Sequence, residues 1–91
     1  MTVLDRVATA LNDNSDVRVR VIGHTDASGS RAFNVELSQS RAEAVAAYLA
    51  TRGVSAGRME ATGVGPDRPI ANNSTSEGRR TNRRVELERI N

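Results

Sequence analysis

The sequence predicts an α/β two-layer sandwich, with two helices packed on one face of a small β-sheet. Residues 17–21 and 84–90 alternate apolar and polar side chains with period two, the signature of half-buried strands. Residues 2–12 and 34–52 instead repeat their apolar positions at helical spacing, which marks helices with one packed face. Helix and strand thus interleave within 91 residues, room for a single small domain spanning residues 1–91.

Taken in order, Val3, Leu4, Val7, Ala8 and Leu11 form the apolar stripe of the first helix, and Asn12-Asp13-Asn14-Ser15 ends it. Val17, Val19 and Val21 put a Val face inward on the first strand. Residues 23–30 read as a loop. The long helix over 34–52 follows and stops at Gly53, a residue suited to a helix C-cap. A short strand is expected around 58–62. Residues 63–82, rich in Gly, Pro, Asn and Ser, read as one irregular segment, and the chain closes on the strand that carries Val85 and Leu87. The expected core is Val17, Val19, Val21, Val85 and Leu87 on the sheet, under Val7, Leu11, Val45 and Leu49 from the helices.

Composition narrows the function classes. All 13 basic residues are Arg, against 11 acidic residues, so the net charge is only +2 despite a pI near 10.4. The one basic cluster, Arg79, Arg80, Arg83 and Arg84, has no aromatic stacking platform beside it, which argues against a nucleic-acid binder. With no Cys there is no disulfide or thiol chemistry. No run is long enough to span a membrane and no signal peptide is visible, so any membrane anchor would lie outside this chain.

One side chain conflicts with its setting. At 100° per residue, Arg41 shares a helix face with Leu37, Val45, Tyr48 and Leu49. A guanidinium stays charged, and leaving it unpaired among apolar groups costs several kcal/mol. Either an anion meets it, from within the chain or from a ligand, or it snorkels to water from the edge of the stripe. Asp26, fifteen residues upstream in the Gly23-His24-Thr25-Asp26 turn, is the carboxylate that the pattern pairs with it. A lone His24 without a second His or Cys is a weak metal signal, and His24, Asp26 and Ser28 lack the context of a hydrolytic triad. No catalytic residue, cofactor or metal is expected.

Gly23, His24, Thr25, Asp26, Asn34, Leu37, Ser38, Arg41, Ala42, Gly63, Gly65, Pro69, Asn72, Asn82, Arg83, Arg84 and Val85 fall in the order and spacing of a known pattern. It runs G-H/Y-T-D, an Asn, L-S-x-x-R-A, G-x-G-x-x-x-P and N-R-R-V. In these residues the chain resembles the OmpA-like peptidoglycan-binding domain over residues 3–90, far more than any single short motif could support.

The resemblance implies two helices on a mixed sheet, and a non-enzymatic domain that anchors a cell-envelope protein to the cell wall. The partner would be the peptidoglycan stem peptide, held at the free amino and carboxylate ends of its diaminopimelate. Asp26 would accept from the ammonium and Arg41 would fork onto the carboxylate. Thr25 and Asn34 would add polar contacts, with backbone N–H groups of residues 26–28, and Leu37 would pack on the ligand's chain. Arg83 is the cleft candidate of the Arg83-Arg84 pair, the other being left in solvent. The location implied is the periplasm, associated with the outer membrane through the parent protein. A protein-interaction domain on the same fold, without peptidoglycan binding, is the alternative.

In one respect the chain departs from the pattern. The family's fold begins with a strand before the first helix, whereas this chain opens in the helix. A sheet of three strands with an exposed edge is therefore expected, and with it either lower stability than a form carrying that strand or edge-to-edge pairing into a homodimer.

Overall fold

The computed structural model describes residues 2–91. Helix α1 (Val3–Asp13) leads to strand β1 (Val19–His24) and the long helix α2 (Arg31–Thr51). A short 3₁₀ turn at Ala56–Arg58 enters β2 (Met59–Gly63), and α3 (Ser76–Asn82) precedes β3 (Arg84–Arg89). The sheet is mixed, in the order β2-β1-β3, with β2 parallel and β3 antiparallel to the central β1.

Local chemistry sets the helix starts. Thr2 and Asp5 form a capping box on α1, each side chain taking the other's backbone N–H. The far end of α1 is closed by Arg58, whose guanidinium donates to the carbonyls of Leu11 (2.7 Å), Asn14 (2.8 Å) and Val17 (3.0 Å). That one side chain satisfies helix-end acceptors and ties α1 to the entrance of β2. Ser30 caps α2 by accepting from the Phe33 N–H, so the helix starts at Arg31, three residues before the position expected from periodicity. Gly53, at φ 97°, ends it as anticipated.

Two expectations change. The first strand runs over 19–24 rather than 17–21, so Gly23 and His24 belong to the sheet and the loop begins at Thr25. The 63–82 segment is not wholly irregular: its last seven residues form α3, capped by the Thr75 hydroxyl. Fully buried Asn82 holds that segment together. Its Oδ1 accepts from the N–H groups of Ile70 and Ala71, and its Nδ2 donates to the Ala71 carbonyl and to Asn73. Seven residues of mostly polar sequence carry no apolar period, so pattern alone could not reveal this helix.

The main core cluster is Ala8, Leu11, Val19, Leu49 and Val54, flanked by Val7, Val17, Val45, Met59 and Leu87, and Val21, Ile22 and Ala42 are buried as well. It is the thin aliphatic core that the composition implies. What α2 buries differs from expectation, however. Its inward residues are Asn34, Ser38, Ala42 and Leu49, a face turned about 55° from the centre of the apolar stripe at 100° per residue, with Leu49 common to both. Helix and sheet meet closely here. A β-carbon on Gly23 would lie 2.1 Å from the Ser38 carbonyl oxygen, and one on Gly63 would lie 2.2 Å from the Gln39 backbone nitrogen. Only small side chains fit under such a contact, so Ser38 and Ala42 point inward and Arg41 and Tyr48 turn outward.

Candidate functional site

Arg41 is exposed, and no carboxylate among the described residues pairs with it. Of the partners open to it from its helix position, an internal carboxylate is thereby set aside among the described residues, which leaves water or an anionic ligand. Arg41 opens onto an open pocket of about 350 Å³, whose other walls are Arg83, at the end of α3, and Arg84 and Val85, at the start of β3.

Asp26 joins this site through Arg83. It sits at the first turn after β1, and its side chain is only 10% exposed. Oδ1 accepts from the Ser28 N–H at 2.8 Å, and Oδ2 accepts from Arg83 Nη1 at 2.6 Å. The Ser28 N–H, followed by Arg83, holds the Asp26 carboxyl below the ordinary carboxylate range. Arg83 thus connects the two: it bonds to Asp26 and lines the same pocket as Arg41.

The remaining expected residues divide into two groups. Thr25 and Asn34 are buried and committed to the loop: the Thr25 hydroxyl donates to the Asp26 carbonyl, and Asn34 Nδ2 donates to the Ser28 carbonyl at 2.7 Å. The Ser28 N–H, one of the backbone donors expected to face a ligand, is spent on Asp26. Leu37 is half-buried one turn before Arg41 and lies outside the walls of the pocket.

Arg84 is the principal revision. Expected in solvent, its side chain is 15% exposed, against 43% for Arg83. Its three nitrogens donate to Glu86 (2.9 Å), the Asn82 carbonyl (3.1 Å) and the Arg68 carbonyl (3.0 Å). The fold of the 63–82 segment supplies two of those acceptors, which is why strand alternation could not foresee them. Glu86 in turn accepts from the fully buried His24, whose Nε2 lies 2.9 Å from Oε1. His24 Nδ1 is then the bare acceptor of a neutral imidazole, buried without a partner among the described residues. His24 is a structural residue that braces Glu86, and Glu86 braces Arg84.

Burial, with the Arg84 and Arg68 charges, pushes the His24 pKa below its ordinary 6.5, and Glu86 only partly opposes this. The unfolded chain therefore takes up a proton at this ring before the folded one does. Stability from His24 is complete above pH 6.5 and declines as pH falls below it, by at most about 1.4 kcal/mol per pH unit. Denaturant midpoints should drop between pH 7 and 5, and His24→Gln should flatten that slope. The depressed carboxyls of Asp26 and Glu86 act lower, as pH falls below their ordinary values of 3.8 and 4.5. A wild-type midpoint constant from pH 7 to 5 would contradict the assignment.

A second hollow, of about 300 Å³, lies between α1 and the end of α2. Its charged residues, Asp5 and Arg52, already pair at 3.1 Å, and Asp5 also accepts from Tyr48, so it offers no unmatched charge.

Comparison with known proteins agrees with this architecture. The OmpA family model matches residues 1–83. The chain is 49% identical over 84 residues to "Probable lipoprotein YiaD" of Escherichia coli K12, covering 92% of this chain and 38% of that protein. It is 47% identical over 85 residues to the peptidoglycan-binding protein ArfA of Mycobacterium tuberculosis H37Rv, covering 93% of this chain and 26% of that protein. This chain therefore spans well under half the length of either relative. The crystal structure of the peptidoglycan-associated lipoprotein from Burkholderia pseudomallei superposes with a TM-score of 0.91 at 32% identity, covering 96% of this chain and 74% of the other. On sequence and on fold alike, the chain belongs to the OmpA family.

Proposed function

We propose that this chain is a non-covalent peptidoglycan-binding module of the cell envelope, a binder rather than an enzyme, that grips the diaminopimelate of the stem peptide. The observation that carries this reading is Arg41, an exposed and unmatched guanidinium on a pocket whose neighbouring wall, Arg83, is bonded to Asp26. A ligand end bearing both an ammonium and a carboxylate suits one anion and one free cation better than a ligand of either single charge. The fork of Arg41 takes the carboxylate in two parallel bonds, and Asp26 takes the ammonium. Thr25 and Asn34 shape the loop that presents Asp26, and Leu37 offers apolar surface beside Arg41. That ArfA is described as peptidoglycan-binding, and the Burkholderia relative as peptidoglycan-associated, supports the same partner. No described helix is long and apolar enough to cross a membrane.

The test is ligand choice. Stem peptides with diaminopimelate should bind at least about tenfold more tightly than those with lysine at the same position. Lysine lacks the terminal carboxylate, so Arg41 has nothing to grip. Equal affinity for the two stems in calorimetry would count against the reading.

A further inference from the structure

Asp26 has little left to offer a ligand as it stands. Its carboxylate is nearly enclosed, and each oxygen already accepts one charge-assisted or backbone hydrogen bond. An ammonium that reaches it must come past one of the two donors. The Ser28 N–H is fixed, because Asn34 pins the Ser28 carbonyl at 2.7 Å. Arg83 is the movable one: its side chain is 43% exposed, and Asp26 is the sole partner of its guanidinium among the described residues. Arg84 next to it is the opposite case, held by three acceptors.

Resting on the reading that Asp26 receives the ligand's ammonium, we propose that Arg83 is an internal stand-in for that ammonium and determines specificity by exchange. On binding, the ammonium takes Asp26, and the released guanidinium turns within the pocket it already lines to take a second carboxylate. The charges support this. In the free pocket Arg84 is matched by Glu86 and Arg83 by Asp26, which leaves Arg41 unmatched among the described residues. After exchange both Arg41 and Arg83 need an anion. The site therefore reads one ammonium and two carboxylates, the pattern of a peptide end rich in acid groups rather than of an isolated zwitterion. Trading one partly exposed ion pair for another is close to neutral, so selectivity comes from the second carboxylate and not from the exchange.

The experiment uses a stem tripeptide containing diaminopimelate. Its zwitterionic end is kept intact, and its other carboxylates are either all free or all amidated. Wild type should bind the free acid about five- to tenfold more tightly than the amide. In Arg83→Gln that gap should close. The free acid loses its second contact, whereas the amide keeps or gains affinity because the internal competitor for Asp26 is gone. Arg83→Lys, which keeps the charge without the fork, should retain part of the gap, and it carries the test if the Gln variant melts early. Equal weakening of both peptides by Arg83→Gln would show that Arg83 merely positions Asp26 and would overturn the exchange, as would an unchanged gap. If wild type binds neither peptide, the peptidoglycan reading fails first and the exchange with it.

Discussion

Gly23→Ala should lower the melting temperature by roughly 15 °C or more, and Gly23→Ala with Gly63→Ala should not fold. The added β-carbon at Gly23 would meet backbone atoms of Ser38, at 2.1 Å from its oxygen and 2.8 Å from its carbonyl carbon. At Gly63 it would meet the Gln39 nitrogen at 2.2 Å and the Ser38 hydroxyl at 2.5 Å. A backbone cannot rotate out of the way as a side chain can, so α2 must lift off the sheet. Overpacking in a tight core costs about 1–3 kcal/mol or more, and in a domain of this size each kcal/mol moves the melting temperature by about 4–8 °C. Lifting α2 also breaks the bonds that cross this contact: the Gly63 N–H to Gln39 Oε1 (2.8 Å), Gln39 Nε2 to the Ala61 carbonyl (3.1 Å) and the Gly65 N–H to Ser38 Oγ (2.9 Å). Two such insertions, at about 2–6 kcal/mol together and with these bonds broken besides, reach the low end of the roughly 5–15 kcal/mol that folded domains hold in reserve, where a domain with so thin a core lies. Gly57→Ala is the control, because its β-carbon would meet nothing nearer than the Ser55 hydroxyl at 4.0 Å. If Gly23→Ala melts with Gly57→Ala, the close approach of helix and sheet is not what orients α2.

Arg41→Ala should abolish sedimentation with diaminopimelate-type cell wall while leaving the fold intact. The structure makes this variant clean. Arg41 is exposed and has no ion pair to lose among the described residues, so the stability change should stay within about 0.5 kcal/mol. Its loss leaves a ligand carboxylate unpaired beside a pocket that still presents Arg84 already bound to Glu86. Arg41→Lys should restore binding only in part, since an ammonium is a point charge and not a fork. Asp26→Ala should also abolish binding, but at a visible structural cost of about 1–3 kcal/mol, because the Ser28 N–H and Arg83 lose their acceptor. Binding is read by sedimentation and folding by circular dichroism. Undiminished sedimentation of a folded Arg41→Ala would remove Arg41 from the site.

The place where sequence reasoning strayed is informative because its error had one cause. Helical periodicity found α2 and its core residues Val45 and Leu49, but centred the inward face too close to Arg41, since an apolar stripe is not the only surface a helix can bury. Asn34, Ser38 and Ala42 look like a polar or neutral flank until Gly23 and Gly63 are seen beneath them. The same limit applied at β3. Strand alternation separates Arg83 from Arg84, yet which one is exposed depends on the Asn82 and Arg68 carbonyls, delivered by a segment whose shape is not periodic. His24 as the brace behind Glu86 joins residues 62 positions apart, and nothing local announces it.

By itself the sequence determined the layer architecture, the aliphatic core drawn from both helices and the sheet, the ends of the long helix to within three residues, and the family. These follow from period, capping chemistry and motif spacing, all of which are short-range. It also singled out Asp26, Arg41 and Arg83. Only the tertiary structure decided how these three stand to one another: Arg41 free, Asp26 closed by Arg83, and Arg84 locked by Glu86 and two carbonyls. The physical reason is that an ion pair is chosen by distance in space. Here that distance is set by how closely α2 can approach two glycines and by how Asn82 folds the segment before β3.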